Sequence, residues 1–340
     1  MRERRQARTL VTGFWPVLLL SILVLLGSMV LSCAVGAVSL SLPELFLAWR
    51  GEAEATSVAI VQQRVNRTLL GLWVGAALGV AGVLMQAMTR NPLADPGILG
   101  VNAGAGFAVT VGVAFWGLTG IESYIWCSFL GSLLATGVVC LFAGGSRAVS
   151  PARLVLVGLA LGSALIGASR TLSLLSPSTF DAMRFWGAGT LADRPESTLA
   201  TIAPFILGGC LLALCLGRSL DMLALGQDLA RSSGVNMTWV LLACVLAVTL
   251  LSAGATAAAG PIAFVGLLVP QLARALVGAS SQSKVLILSL ILAPTVVLVA
   301  DILGRVLVAP RELQVGVLAS AVGAPALIFL MRSRQSGKGV

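Results

Sequence analysis

Residues 64–106 read RVNRTLLGLWVGAALGVAGVLMQAMTRNPLADPGILGVNAGAG. An arginine pair, Arg64 and Arg67, leads into an apolar run stepped by Gly71, Gly75 and Gly79, and Asn91-Pro92 and Asp95-Pro96 then interrupt it. Glycines four apart share one helix face and let a second helix approach closely. Two prolines within five residues end a helix and free backbone carbonyls. At membrane depth, such backbone is tolerated only where protein buries it or a water-filled cavity lines it. A soluble core needs no such combination, but a polytopic membrane protein with a path through interrupted helices does.

The rest of the chain agrees. Of its 340 residues 58% are hydrophobic and 10% charged, against about 25% charged in ordinary soluble domains. A spanning helix takes roughly 20 residues, which leaves room for about ten. The apolar runs place them at 14–38, 68–88, 97–117, 123–143, 153–175, 199–217, 238–259, 261–277, 285–304 and 314–332. The expected fold class is an all-α integral membrane protein, one polytopic domain over 1–340 with a tail at about 1–13. The first run follows MRERRQAR but is long enough to span, so it reads as an uncleaved helix rather than a signal peptide.

The net charge of +9 reads as a positive-inside bias rather than a nucleic-acid footprint. With ten spans, fourteen of the 22 lysines and arginines fall on one side and eight on the other. That bias predicts both termini in the cytoplasm. No histidine is present, which removes Ser-His pairs and most zinc sites. No GxxxxGK[ST] phosphate loop occurs, and no acid sits mid-span as a proton relay would need. The six cysteines lie in apolar runs and read as small hydrophobes. The chain therefore reads as a transport subunit and not an enzyme, with no metal site.

Several positions carry alternatives. Arg64, Arg67 and Arg305 fall at outer span ends, where they either grip carboxylates of an external partner or snorkel to the interface; Asp301 stands one turn from Arg305 as a pairing partner. Asn91, Pro92 and Leu93, and the second interruption at Gly260 and Pro261 with a further one at Pro270, line a pathway or form tight turns. The inner loop, about 218–237, is an amphipathic helix ended by Gly234: a lid on the membrane or a lever against a cytoplasmic partner. Arg184, Phe185 and Trp186 sit at the outer mouth, to guide an anion or to anchor a helix.

Six segments in fixed order carry a resemblance: RVNR at 64–67, RNPLADPGILGVNAGAG at 90–106, LGQDLARSSGVN at 225–236, GPIAFVGLLVPQLARALVG at 260–278, ADILGRVL at 300–307, and REL…VG…GAPALIFL from 311 to 330. Over nearly its whole length the chain resembles the FecCD-type permeases of bacterial ABC importers for iron-siderophores, haem and cobalamin, and the likeness is closest to the ferric-enterobactin type. The resemblance implies a type II importer fold of ten helices and two permeases side by side in the inner membrane. Two ATPases below carry ATP and magnesium, and a periplasmic or lipid-anchored siderophore-binding protein docks above. It assigns Arg64, Arg67 and Arg305 to binding-protein docking. Leu225, Gly226, Asp228, Ala230, Arg231 and Gly234 fall in the coupling helix that meets the ATPase, and Asn91 and Leu93 in the inner gate, with Ser150 opening a companion gate. The implied function is ferric siderophore import. Haem or cobalamin import is the near alternative, a secondary carrier the remote one.

Overall fold

The computed structural model describes residues 13–36, 38, 40–144, 151–225, 236–278, 281–309 and 311–336. Among the described residues there are twelve α-helices, one 3₁₀ turn and no strand. The helices are α1 Phe14–Ala34, α2 Leu42–Arg50, α3 Ala55–Thr89, α4 Val101–Trp116, α5 Ile121–Gly144, α6 Pro151–Leu175, α7 Pro177–Trp186, α8 Ser197–Leu225, α9 Met237–Ala259, α10 Val265–Val277, α11 Gln282–Leu307 and α12 Val315–Ser336.

Each of the ten expected spans coincides with a helix. Seven of these (α1, α3, α5, α6, α8, α9 and α11) are long and apolar enough to cross a membrane, while α4, α10 and α12 are shorter apolar helices. Boundaries differ where polar residues continue a helix. The second span begins at Ala55, so α3 runs 35 residues, about 52 Å at 1.5 Å per residue. Gln62, Gln63, Arg64 and Asn66 extend it beyond its apolar window. The sixth span continues to Leu225 and absorbs the start of the expected inner loop. Pro270 does not interrupt α10, and Pro204, Pro294 and Pro325 likewise sit inside helices.

Two short helices lie between the spans. Ser41 starts α2 with a reciprocal capping box to Glu44, and Gly51 ends it in the left-handed region at φ 74°. The Ser41 hydrogen bonds hold the Glu44 carboxyl below the usual range. Ser176 caps α7, whose first residue is Pro177, at the position proline tolerates.

α3 and α9 are 78% buried over their apolar windows and α11 61%, against 17% for α6 and 22% for α1. The core is therefore α3, α9 and α11, with the other helices around them. α1 turns a stripe of Val17, Ser21, Ser28 and Ser32 inward and leaves its leucines outside. Ser21 donates to the Val17 carbonyl at 2.8 Å, so its hydroxyl is satisfied within the helix. In lipid, leucine gains nothing by facing protein, and small residues allow close packing.

The glycine step of α3 serves α11. A Cβ at Gly75 would enter the Pro294 backbone, and one at Gly79 would meet Ala293 and the Ser289 carbonyl. Gly82 continues the face against the Gly266 carbonyl.

Two ends of the molecule can be told apart by contacts. The Arg90 end gathers the start of α1, the end of α3 and the start of α11, where Lys284 lies over the Phe14 ring at 5.7 Å. The Arg305 end gathers the end of α1, the middle of α3, the end of α11 and the loop 187–196.

Candidate functional site

The two chain interruptions meet inside the fold. After Thr89, Arg90 turns left-handed at φ 51°. Asn91 accepts from Leu93 N at 3.0 Å, and Asp95 from Gly97 N at 2.8 Å; these side chains replace the lost helical partners. Burial pushes the Asp95 carboxyl up, opposed by the Gly97 bond. The 3₁₀ turn Pro96–Leu99 follows, and Gly100 at φ 78° starts α4. On the other side α9 stops at Gly260, φ 74°, and Phe264, φ 69°, precedes α10. The Pro96 ring faces Gly266 so closely that a Cβ there would come within 3.1 Å of it. Thr256 donates to Asn102 at 2.9 Å. The carbonyl of Ala259, freed where α9 stops, accepts from Thr190 N at 2.7 Å. Asn91, Pro92 and Leu93 are exposed, while Ala94 and Pro96 are buried.

A buried amide ties this region to α10. Pro270 has no N–H to give the carbonyl of Gly266, one turn back. Gln86 Nε2 donates to that carbonyl at 3.3 Å and to the Leu267 carbonyl at 3.2 Å. Gln86 Oε1 accepts from Gln271 at 3.0 Å and from Arg274 Nη1. Gln271 also donates to the Pro92 carbonyl at 2.9 Å, and Arg274 to Gln282 at 3.4 Å. Asp221, near the end of α8, accepts from Gln282 N and from Ser283 Oγ at 2.9 Å. Arg90 donates to the Leu223 carbonyl at 3.1 Å. The end of α8, the start of α11, α10 and the Pro92 interruption are thus joined by one polar chain.

At the opposite end the three predicted arginines converge, but inward. Arg64 is 6% exposed and Arg305 2%; the sequence placed both on the surface. Their donors fill a need set by α1, which ends without a glycine cap and leaves carbonyls unpaired. Arg64 donates to the Ala34 carbonyl at 2.9 Å and to that of Val38. Arg305 donates to the Ser32 and Val35 carbonyls at 2.8 and 2.9 Å. Cations at a helix C-terminus also complement its dipole. Arg67 donates to both Asp301 oxygens, from Nε at 3.0 and 2.9 Å and from Nη2 to Oδ1 at 2.7 Å, and to Glu312 at 2.7 Å. Arg305 pairs with Asp301 at 3.1 Å, as the one-turn spacing suggested. A hollow of about 180 Å³ opens over Arg64, Arg67 and Arg305, with Gln63, Asp193 and Glu312 among its walls.

The mouth residues separate. Arg184 is exposed beside Asp181 at 3.6 Å. Trp186 is buried, packed with Ala105, Val109 and Val113, because α7 folds back on α4. Its edge borders a cavity of about 520 Å³ with Tyr124, Thr190 and Glu312, and its indole N–H has no acceptor among the described residues. Arg184 instead lines a cavity of about 670 Å³ with Asn102, Ser169, Arg170, Phe180 and Pro261. Arg170 and Asn102 were not singled out in the sequence. Arg194, in the neighbouring loop, donates to the Thr190 carbonyl at 3.3 Å, and burial pushes its guanidinium down to about 10 against the pull of Asp193. Of the coupling segment, Gly226, Asp228, Ala230, Arg231 and Gly234 lie outside the described residues, as does Ser150; Leu225 closes α8.

Comparison with known proteins gives a consistent setting. The FecCD transport family matches residues 22–333. The ferric enterobactin transport system permease protein FepD of Escherichia coli (strain K12) is 43% identical, over 93% of this chain and 95% of that one. The hemin transport system permease protein HmuU of Yersinia pestis is 34% identical over the full length of both. Among solved structures, a metal-chelate type ABC transporter in an inward-facing conformation matches with TM-score 0.82 and 28% identity, over 93% of this chain and 99% of that one.

Proposed function

The chain belongs to the FecCD transport family, and from that premise we propose that it is a membrane permease of an ABC importer for a ferric siderophore, of the catecholate, enterobactin-like class. The observation that carries the substrate class is the 670 Å³ cavity, where Arg170 and Arg184 stand with Phe180 and the polar Asn102 and Ser169. Two guanidiniums and an aromatic ring suit a large aromatic anion, by charge and by stacking. The 43% identity with the enterobactin permease supports the same class.

ATP and magnesium belong to separate ATPase subunits, two per assembly, with a second permease completing the pathway. The Arg90 end faces the cytoplasm, as the arginine bias requires, with both termini there and the Arg305 end outside. A partner pressing on the segment after Leu225 moves the end of α8. The Asp221, Gln282, Arg274, Gln86 and Gln271 chain transmits that movement to the Pro92 interruption, which gates the inner side. Outside, the binding protein seats an acidic side chain at the small hollow over Arg64, Arg67 and Arg305, competing there with Asp193 and Glu312 in its walls and with Asp301 beneath.

The test is uptake of radio-iron in cells lacking their own permease and supplied with this chain and its partner subunits. Ferric enterobactin should enter, with Arg170→Glu and Arg184→Glu each reducing the rate. Uptake of haem with no ferric catecholate uptake would favour the second reading, which rests on the full-length likeness to the hemin permease. Uptake without any ATPase subunit would indicate a secondary carrier.

A further inference from the structure

Away from the proposed pathway, two hollows at the Arg305 end share one wall. α2 packs on α3 and leaves an apolar hollow of about 490 Å³ toward α1, bounded by Val30, Leu45 and Phe46. A second, more polar hollow of about 590 Å³ is bounded by Arg50, Gln62, Asn66 and Glu196. Trp49, Val61, Val65 and Leu69 wall both. The two hollows thus adjoin along these four side chains, one lined mainly by apolar groups and one bearing a cation, an anion and two amides.

α2 is built to lie at a membrane surface. It is capped at both ends, and Phe46, Leu47 and Trp49 are 52, 42 and 77% exposed. Aromatic rings and a basic residue on one short helix mark the headgroup level. The Arg50 guanidinium lies 4.5 Å above the Phe46 ring, so the cation stands at the junction of the apolar hollow and the polar one.

We propose that these hollows bind one phospholipid whose headgroup carries both a phosphate and an ammonium. The acyl chain fills the hollow between α1 and α2, and Trp49 sits at the glycerol level. Arg50 takes the phosphate and Glu196 the ammonium. The charge pair selects the headgroup: a purely anionic lipid would leave Glu196 facing negative charge. The site is formed by α1, α2, α3 and the start of α8, whereas the proposed substrate cavity is formed by α4, α6 and α7. Failure of either assignment leaves the other standing.

The test is native mass spectrometry of the purified, delipidated full-length protein, titrated with phosphatidylethanolamine or with phosphatidylglycerol of the same acyl chains. The first phosphatidylethanolamine should bind roughly tenfold more tightly than phosphatidylglycerol, the worth of one hydrogen bond to a charged group. Glu196→Lys should reverse that preference, and Arg50→Glu should weaken both lipids. In unmodified protein, phosphatidylethanolamine brominated in its acyl chain should quench a fluorescence component that Trp49→Phe removes. This second measurement does not depend on a charge variant folding. Equal affinity for the two lipids with no response to Glu196→Lys would mean bulk lipid only and overturn the proposal. So would a cross-link from Trp49 to a neighbouring subunit filling the groove.

Discussion

Asp301, 1% exposed, lies between Arg67 and Arg305 and, among the described residues, is the one acid in contact with both. Removing one member of a buried charged network costs roughly 3–5 kcal/mol, because the remaining charges lose compensation. Asp301→Asn should therefore lower the thermal unfolding midpoint in detergent far more than Glu312→Gln, whose partner Arg67 keeps Asp301. Gln86 gives a second prediction of another kind. Gln86→Leu leaves the Gly266 carbonyl without its side-chain donor and takes one acceptor from Arg274, at about 1–3 kcal/mol for an unsatisfied buried group. In the assembled importer it should depress substrate uptake more than ATP hydrolysis, which a paired uptake and phosphate-release assay would detect. An equal fall in both would deny the transmission role. These residues were legible to different degrees. The arginines stood out because charge is rare in this chain, and the Asp301–Arg305 pair follows from helical spacing. Their inward direction did not, because it depends on α1 ending without a glycine cap. Gln86 went unmarked, although a lone amide within VLMQAM is the kind of signal that finds such a residue.

At the scale of helices, two glycines predict opposite outcomes. Gly75 abuts the Pro294 backbone, whereas a Cβ at Gly27 would meet nothing within 4 Å. Gly75→Ala should destabilise by about 1–3 kcal/mol through overpacking. Gly27→Ala should gain up to about 1 kcal/mol from helix propensity; thermal unfolding of both variants compares them directly. The link between α3 and α4 carries a pH prediction. Because burial raises the Asp95 carboxyl in the folded protein, the folded state binds its proton more tightly than the unfolded state does. Stability contributed by that proton is present at low pH and is lost as pH rises through the folded value. Asp95→Asn keeps an acceptor for Gly97 N, so it should be the more stable protein at pH 7. Its advantage should vanish as pH falls toward about 4, the ordinary aspartate range. A constant advantage at every pH would show that charge is not the cause. The interruptions themselves were readable from Asn-Pro, Asp-Pro and Gly-Pro. Pro270 misled because its missing hydrogen bond is made good by Gln86 from another helix, a compensation no local pattern reveals. The reach of α3 beyond its apolar window was hidden for a related reason: glutamine and arginine continue a helix as readily as leucine does.

For the whole molecule, apolar run lengths were enough to place ten helices, since lipid forces each run to satisfy its own backbone. Their arrangement was not legible. Most runs are apolar nearly all round, so hydrophobicity alone does not say that α3, α9 and α11 form the centre and α6 the margin; only the glycine step of α3 hinted at its place. The meeting of the two interruptions was foreseeable as a shared function and unforeseeable as a contact. One contact bears on how the molecule is made. Ser32 and Arg305 stand 273 residues apart in sequence, yet the arginine holds the end of the first helix. During synthesis that helix enters the bilayer early and waits, its terminal carbonyls unclaimed by Arg305, until most of the chain has left the ribosome. Final closure of this end is thus an event of late biogenesis, and a chain cut short before residue 305 carries its first helix without that fastening.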